Sequence, residues 1–214
     1  NIKKIPIVNR RRKSKGNIRE GNGNLFSNSD CKPGKRKIKG DGKMRKDNRL
    51  KKQQHNIDFC VIGGGMAGIC AAISAARNGI KVALMHDRPV LGGNSSSECR
   101  VHICGADRHN RIKNMRETGV LEELQLENLY RNHNKSYSIW DLILYEKIMA
   151  EPNITLLLNC SCINAEVKNN HILSVSGWQT TTQTIHQVKA KIFADCSGDG
   201  ILAPLTGAQF RMGR

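Results

Sequence analysis

The sequence predicts an α/β fold built around a parallel sheet, and three observations carry that prediction. Phe59-Cys60-Val61-Ile62 is a short apolar run, β-branched at its end, as in a strand buried on both faces. Gly63-Gly64-Gly65 follows as a turn, and from there Met66, Ile69, Cys70, Ile73 and Ala76 keep the three-to-four spacing of a helix. After a stop at Asn78-Gly79, where glycine is free to take the left-handed conformation that helix ends favour, Lys81-Val82-Ala83-Leu84-Met85 reads as a second strand. Strand, helix and strand in that order form a βαβ unit, the connection that parallel strands require.

The later elements follow in turn. Residues 117–131 and 139–150 have helical spacing, the second with a broad apolar face of Trp140, Leu142, Ile143, Tyr145, Ile148 and Met149, and Pro152 marks its stop. Ile154-Thr155-Leu156-Leu157-Leu158 is a third buried strand. Three short strands are predicted over 160–167, 172–179 and 182–189, with turn signals at Lys168-Asn169-Asn170 and near Thr180. Residues 190–195 read as a returning strand that runs into Cys196-Ser197-Gly198-Asp199-Gly200.

Charge divides the chain. Its 214 residues carry a formal net charge of +17, yet residues 1–55 hold 19 Lys or Arg against four acids and residues 56–214 hold 16 against 14. A nearly neutral body therefore follows a basic leader, which excludes a uniformly basic nucleic-acid-binding globule. The leader has 11 apolar residues of 55 and buries too little to offset its ordering entropy, so it is expected to be disordered. Its clusters, Arg10-Arg11-Arg12-Lys13 and the run from Lys32 to Lys46, have the composition to touch nucleic acid or an anionic surface through counterion release. A solvated tail is the simpler reading of the same residues.

Eight cysteines are present, but no C-x-x-C pair and no Cys/His run of zinc-site spacing. Free cysteines in a reducing, cytoplasmic setting are expected. Cys99, His102, Cys104 and His109 match no standard metal site, and no metal is assigned. Phe59 to Ala76 is eighteen residues without a charge. Gly63, Gly64, Gly65 and Gly68 make it a poor membrane helix, since each costs about 1 kcal/mol relative to alanine.

Within the βαβ unit, Gly63-Gly64-Gly65-Met66-Ala67-Gly68 supplies G-x-G-x-x-G after a strand and at the opening of a helix. Gly63 permits the tight turn, Gly65 admits a pyrophosphate where a Cβ would obstruct it, and Gly68 lets helix and strand lie close. The helix N-terminus offers N–H groups and partial positive charge to phosphates. Asp87, 24 residues after Gly63, ends the second strand and is the candidate ribose acceptor. The acid of such units more often aligns with His86, so His86 is the alternative ribose contact. No Arg pair suited to a 2′-phosphate is evident. Leu91-Gly92-Gly93-Asn94 then favours a flavin site over a nicotinamide one.

The blocks VALMHDRPVLGGNSSSE (82–98) and FADCSGDGILAPLTGAQFRMGR (193–214), with residues 58–79, resemble FAD-dependent oxidoreductases of the glutathione-reductase-like, two-dinucleotide-binding superfamily. The resemblance is strongest to its heterodisulfide-reductase-like bacterial members and covers residues 56–214. It implies a Rossmann-like FAD/NAD(P)-binding fold in which the three short strands form an antiparallel excursion. By position, Gly63, Gly65, Met66 and Ala67 would hold the pyrophosphate, and Asp87 and Arg88 would face the adenosine. Gly92, Gly93, Asn94 and Ser95 would pass along the diphosphate toward the flavin. Cys162 aligns where a backbone group meets adenine, and Cys196-Ser197-Gly198 corresponds to a strand-end element that approaches the cofactor again. Val90 stands where the superfamily usually has arginine.

In the resembled proteins a substrate domain and a late Gly-Asp element follow, and Asp199 is not that aspartate. The expectation is a fold incomplete at its C-terminus, the N-terminal portion of a larger flavoprotein. FAD is the cofactor implied, with an iron–sulfur cluster implied only by family association. Substrate and electron donor or acceptor are unassigned, as is any catalytic residue. Ser95, Ser96, Ser97, Glu98 and Arg100 read equally as flavin neighbours or as a polar loop. The competing readings are an NAD-binding dehydrogenase and a basic-tailed module for nucleic acid or anionic surfaces.

Overall fold

In a computed structural model that describes residues 50–106 and 115–213, the chain runs β1 (Lys51–Asn56), β2 (Phe59–Ile62), α1 (Met66–Arg77) and β3 (Val82–Met85). A 3-10 turn over Gly93–Ser95 precedes α2 (Gly119–Arg131), α3 (Tyr137–Met149) and β4 (Ile154–Leu157). Then come β5 (Cys160–Lys168), β6 (His171–Gln179), β7 (Thr184–Lys189), β8 (Ile192–Asp195) and α4 (Leu202–Thr206). The basic clusters of residues 10–13 and 32–46, and with them Cys31 and His109, lie outside the described residues.

Four strands form a wholly parallel sheet in the order β4-β3-β2-β8. Because side chains alternate along a strand, β2 and β3 feed two cores at once. Val61, Val82 and Leu84 face α1, α2 and α3, packing with Ile69, Ile73, Leu124, Ile143 and Leu144. Cys60, Ile62, Ala83 and Met85 face the other way, onto Cys160, Val175 and Val188 of the second sheet. The three short strands predicted after β4 are the antiparallel β5, β6 and β7 of that second sheet. Helices, parallel sheet and second sheet thus form three layers.

The helices owe their placement to these cores. Ile69, Ala72, Ile73 and Ala76 bury one stripe of α1, and Asn78 Nδ2 donates to the Ser74 carbonyl at its end (2.8 Å). Gly79 follows with φ +80°. Arg77, in the last turn of α1, pairs with Glu123 of α2 (2.6 Å) and with Glu151 (2.7 Å). The guanidinium holds the Glu123 carboxyl down at about 2.

β1 corrects the expected boundary of the leader. Lys51 to His55, assigned there to a disordered tail, belong to a strand that pairs parallel with β7 over all six of its residues. The strand has almost no apolar content, so periodicity gave no signal. Backbone pairing along an available edge holds it, together with a histidine contact. Gln179 Nε2 donates to the Leu158 carbonyl (2.9 Å), which turns its Oε1 toward His186 Nε2 (3.1 Å). His186 Nε2 therefore carries the proton, and its Nδ1 accepts from His55 Nε2 (2.9 Å). His186 is neutral in this arrangement, and burial lowers the proton affinities of both rings.

Acid sensitivity follows. A histidine whose proton affinity is lowered by folding binds its proton more readily when unfolded, so acid favours the unfolded chain. We expect stability to be fully present near pH 7.5 and to decline as the pH falls below about 6.5, the ordinary histidine value. The urea midpoint, followed by circular dichroism from pH 7.5 to 5, should fall steadily. A flat profile would contradict the paired arrangement.

Candidate active site: a glycine-lined opening at the sheet's switch point

The central strand β2 leaves the sheet between β3 and β8, where the strand order diverges, and open α/β sheets bind ligands at that place. Backbone bonds fix the exit. Gly63 N–H donates to the Met85 carbonyl (2.8 Å), and Cys196 N–H donates to the Ile62 carbonyl (2.7 Å). Gly63 has φ +106°, and a Cβ there would lie 2.2 Å from the Cys196 carbonyl oxygen. Gly68 is equally constrained, with a Cβ position 1.9 Å from the Gly63 carbonyl oxygen. These two glycines serve packing.

Gly65 differs. It stands at the N-terminal cap of α1 with φ −71° and ψ −179°, and a Cβ there would meet nothing within 4 Å. Of the motif's four glycines it is the one whose Cβ position meets nothing, while those of Gly63, Gly64 and Gly68 each meet protein within 3 Å. The first turn of α1, Met66, Ala67 and Gly68, contains no acidic side chain. Its leading N–H groups have no partner within the helix, so the end carries partial positive charge.

The second loop is brought against the first. Gly92 N–H donates to the Gly64 carbonyl (2.8 Å), and Gly65 and Gly92 form a parallel bridge. Gly92 is left-handed at φ 110°, and the position of a Gly93 Cβ is 3.2 Å from the Gly65 Cα. Gly92, Gly93 and the 3-10 turn Gly93-Asn94-Ser95 therefore border the same opening as Gly65. On the other side, Cys196 and Ser197 border Gly63. Asp195 at the end of β8 shapes that edge. Its carboxylate accepts from Ser197 N–H (3.1 Å), Ser197 Oγ (2.6 Å) and Leu202 N–H (2.7 Å), and the hydrogen bonds lower its pKa against the opposing effect of burial. Gly198 continues the turn with φ +84°.

Several predicted residues stand differently from one another. Asp87 is 60% exposed beyond β3, with Arg88 between it (3.9 Å) and Glu98 (3.7 Å). His86 is buried, and both its ring nitrogens are engaged with backbone, Nδ1 with Gly64 N–H (2.9 Å) and Nε2 with the Val90 carbonyl (2.9 Å). Of the two ribose candidates, Asp87 is the accessible one. Ser95 is buried, its Oγ donating to the Gly92 carbonyl (2.9 Å) and accepting from Trp140 Nε1 (3.3 Å), and its N–H also donates to the Gly92 carbonyl (3.1 Å), so the residue serves to hold the loop. Cys162 is the third residue of β5, packed into the second core, and its thiol is raised to about 11 by burial. Cys60 and Cys160 are pushed up to about 12 for the same reason, so none of these three offers a thiolate near neutral pH.

Sequence reasoning did not anticipate the buttress that α3 provides. Trp140 holds Ser95, Leu144 packs against Gly92, and Asp141 accepts from Ser97 N–H (3.0 Å). The helical stripe of Trp140 and Leu144 was visible, but not its target. Replacing Trp140 with Phe removes one buried donor and should cost about 1–2 kcal/mol, read from the urea midpoint. An unchanged midpoint would show that α3 does not brace the loop. Among the described residues no group of three or more His, Cys, Asp and Glu is placed to hold a metal. Nor is any described helix long and apolar enough to cross a membrane.

Residues 58–214 match the family described as FAD dependent oxidoreductase. A stretch of 40 residues is 50% identical to a soluble pyridine nucleotide transhydrogenase of Chromohalobacter salexigens, covering 19% of this chain and 9% of that protein. Another match, 51% over 39 residues, is to a fumarate reductase (cytochrome) of Shewanella frigidimarina, covering 18% and 7%. This chain's match thus spans less than a tenth of either relative. A solved structure of E. coli quinol fumarate reductase FrdA superposes with a TM-score of 0.49 at 15% identity, over 67% of this chain and 33% of that one.

Proposed function

Because this chain belongs to the FAD dependent oxidoreductase family, we propose that its body is the nucleotide-binding part of a flavoprotein oxidoreductase. The observation that carries the reading is the bridging of the first and second loops at Gly65, the motif glycine whose missing Cβ opens onto free space, with the Cys196-Ser197 turn against neighbouring Gly63. A pyrophosphate fits that opening, since the leading N–H groups of α1 would donate to it and the helix end would offset its charge. Gly63 and Gly68 keep the turn and the helix in position, while Met66 and Ala67 contribute backbone donors. Gly92, Gly93 and Asn94 would line the path onward in the loop that Ser95 holds, with Ser197 and Gly198 on the opposite edge. Asp87 would accept hydrogen bonds from ribose hydroxyls, beside Arg88. The flavin, when bound, supplies the hydride and electron chemistry. The protein's part is to hold it and keep charge and water in order around it.

Seven described cysteines are all unpaired, which supports a reducing compartment such as the cytoplasm. The test of the reading is direct. The purified chain is mixed with excess FAD, desalted, and its visible flavin absorption compared with its protein content. About one flavin per chain is expected, by the single-site arithmetic of tight binding. Retention of NAD in place of FAD would instead support a dehydrogenase, and retention of neither would overturn the dinucleotide reading.

A further inference from the structure

We propose that His86 is a positioning residue that, in its neutral form, clips the glycine turn to the second loop and makes dinucleotide affinity fall in acid. The inference rests on the proposed dinucleotide site and concerns its regulation.

The geometry fixes the proton. Gly64 N–H can only donate, so His86 Nδ1 must accept across 2.9 Å and is unprotonated. Nε2 then carries the hydrogen and donates to the Val90 carbonyl at 2.9 Å. A single ring thus ties residue 64 of the first loop to residue 90 of the second. The Gly64 carbonyl is held as well, accepting from Gly92 N–H at 2.8 Å. Both polar atoms of that residue are committed, and the ring packs closely enough that a Cβ on Gly64 would lie 2.8 Å from His86 Cγ and 2.6 Å from Leu91 Cδ2. Strands on the remaining side fix the histidine's own backbone. His86 N–H donates to the Leu157 carbonyl (2.9 Å) and its carbonyl accepts from Cys160 N–H (2.8 Å). With the backbone pinned, a protonated ring can leave the clip only by rotating its side chain.

Protonation of Nδ1 would set an N–H against the Gly64 N–H and break the clip. The opening at Gly65 would lose the spacing between its two borders. The charged groups that face the ring are Asp87, whose Oδ1 is 3.5 Å from Nδ1, then Glu98 and Arg88. The glycine turn contributes no charge, and the Cys160 thiol at the start of β5 stays protonated. Burial outweighs the two acids and lowers the proton affinity of the ring, so the neutral clip is the resting form at neutral pH. Loss of cofactor is therefore expected only as the pH falls below the ordinary histidine range.

The test compares the chain with His86→Gln, which does not titrate, by measuring FAD affinity from pH 7.5 to 5. Circular dichroism at each pH restricts the comparison to folded protein. The wild-type affinity should fall several-fold by pH 5, bounded at about 30-fold by a group titrating at 6.5. H86Q should be weaker at pH 7.5 and nearly flat. Parallel slopes in the two proteins would overturn the inference, because a merely structural ring would lower affinity at every pH alike. If neither protein takes FAD at any pH, the dinucleotide reading fails instead. The clip is then judged by 15N resonances of the His86 ring in the wild-type chain. Hydrogen on Nε2 at neutral pH, with a Gly64 amide shift that tracks ring titration, supports it, and hydrogen on Nδ1 overturns it.

Discussion

Replacing Gly63 with alanine should cost the fold at least about 3 kcal/mol, the sum expected for a strained left-handed residue and a backbone overlap together. The φ of +106° already disfavours any side chain, and the added Cβ would sit 2.2 Å from the Cys196 carbonyl oxygen. Relief by a shift is blocked on both sides. Gly63 N–H is bonded to β3 through Met85, and Cys196 N–H is bonded to β2 through Ile62. Movement would break the parallel sheet at its centre. In a domain at the low end of ordinary stability, about 5 kcal/mol, that loss removes more than half of it. Urea unfolding of Gly63→Ala reads it, and a change under about 1 kcal/mol would mean the turn does not pass between β3 and β8 as described.

Gly65→Val should do the opposite. Its φ of −71° is open to any residue, and a Cβ there touches nothing. Stability should fall by only about 1 kcal/mol, the cost of a valine in place of a glycine at a helix N-cap. FAD affinity should nevertheless drop about 10- to 100-fold, because the added methyl groups would occupy the space proposed for the pyrophosphate and overpacking costs about 1–3 kcal/mol. Two glycines two residues apart in one motif thus separate folding from binding. A loss of stability equal to that of Gly63→Ala would remove the distinction.

Much of this arrangement was legible in the residues. The apolar runs at 59–62 and 82–85 lie in strands buried on two faces, and buried parallel strands leave that plain mark, whereas the run at 154–157, expected to be buried, forms the edge strand β4 with Thr155 exposed and only Leu157 buried. The helices α1, α2 and α3 were found by spacing, to within a few residues at their ends. β1 was not, because Lys51-Lys52-Gln53-Gln54-His55-Asn56 owes its conformation to a neighbour's edge and not to its own pattern. α4 was missed for a related reason. It is five residues long, contains Pro204, and follows a turn held by the Asp195 carboxylate.

The site was half legible. Glycine spacing identified the turn and the second loop, since only glycine tolerates the close approaches at Gly63, Gly68 and Gly92. Side-chain roles were harder to read, because they depend on burial that spacing does not encode. Ser95 and Asp87 both looked like ligands in the sequence, yet one hydroxyl is spent inside the protein and the other carboxylate stands in solvent. His86 looked like a substituted acid, and it proves to be a ring locked between two loops.

The proposed site places a dinucleotide phosphate in the open space at Gly65. Calorimetric titration of FAD into the wild-type chain and into Gly65→Val, under conditions where both are folded, tests it most directly. Saturation at one FAD per wild-type chain is expected, with binding to the variant at least about tenfold weaker and a stability loss of only about 1 kcal/mol. Equal affinity in the two proteins would contradict it, since the valine would then be filling space that no ligand uses.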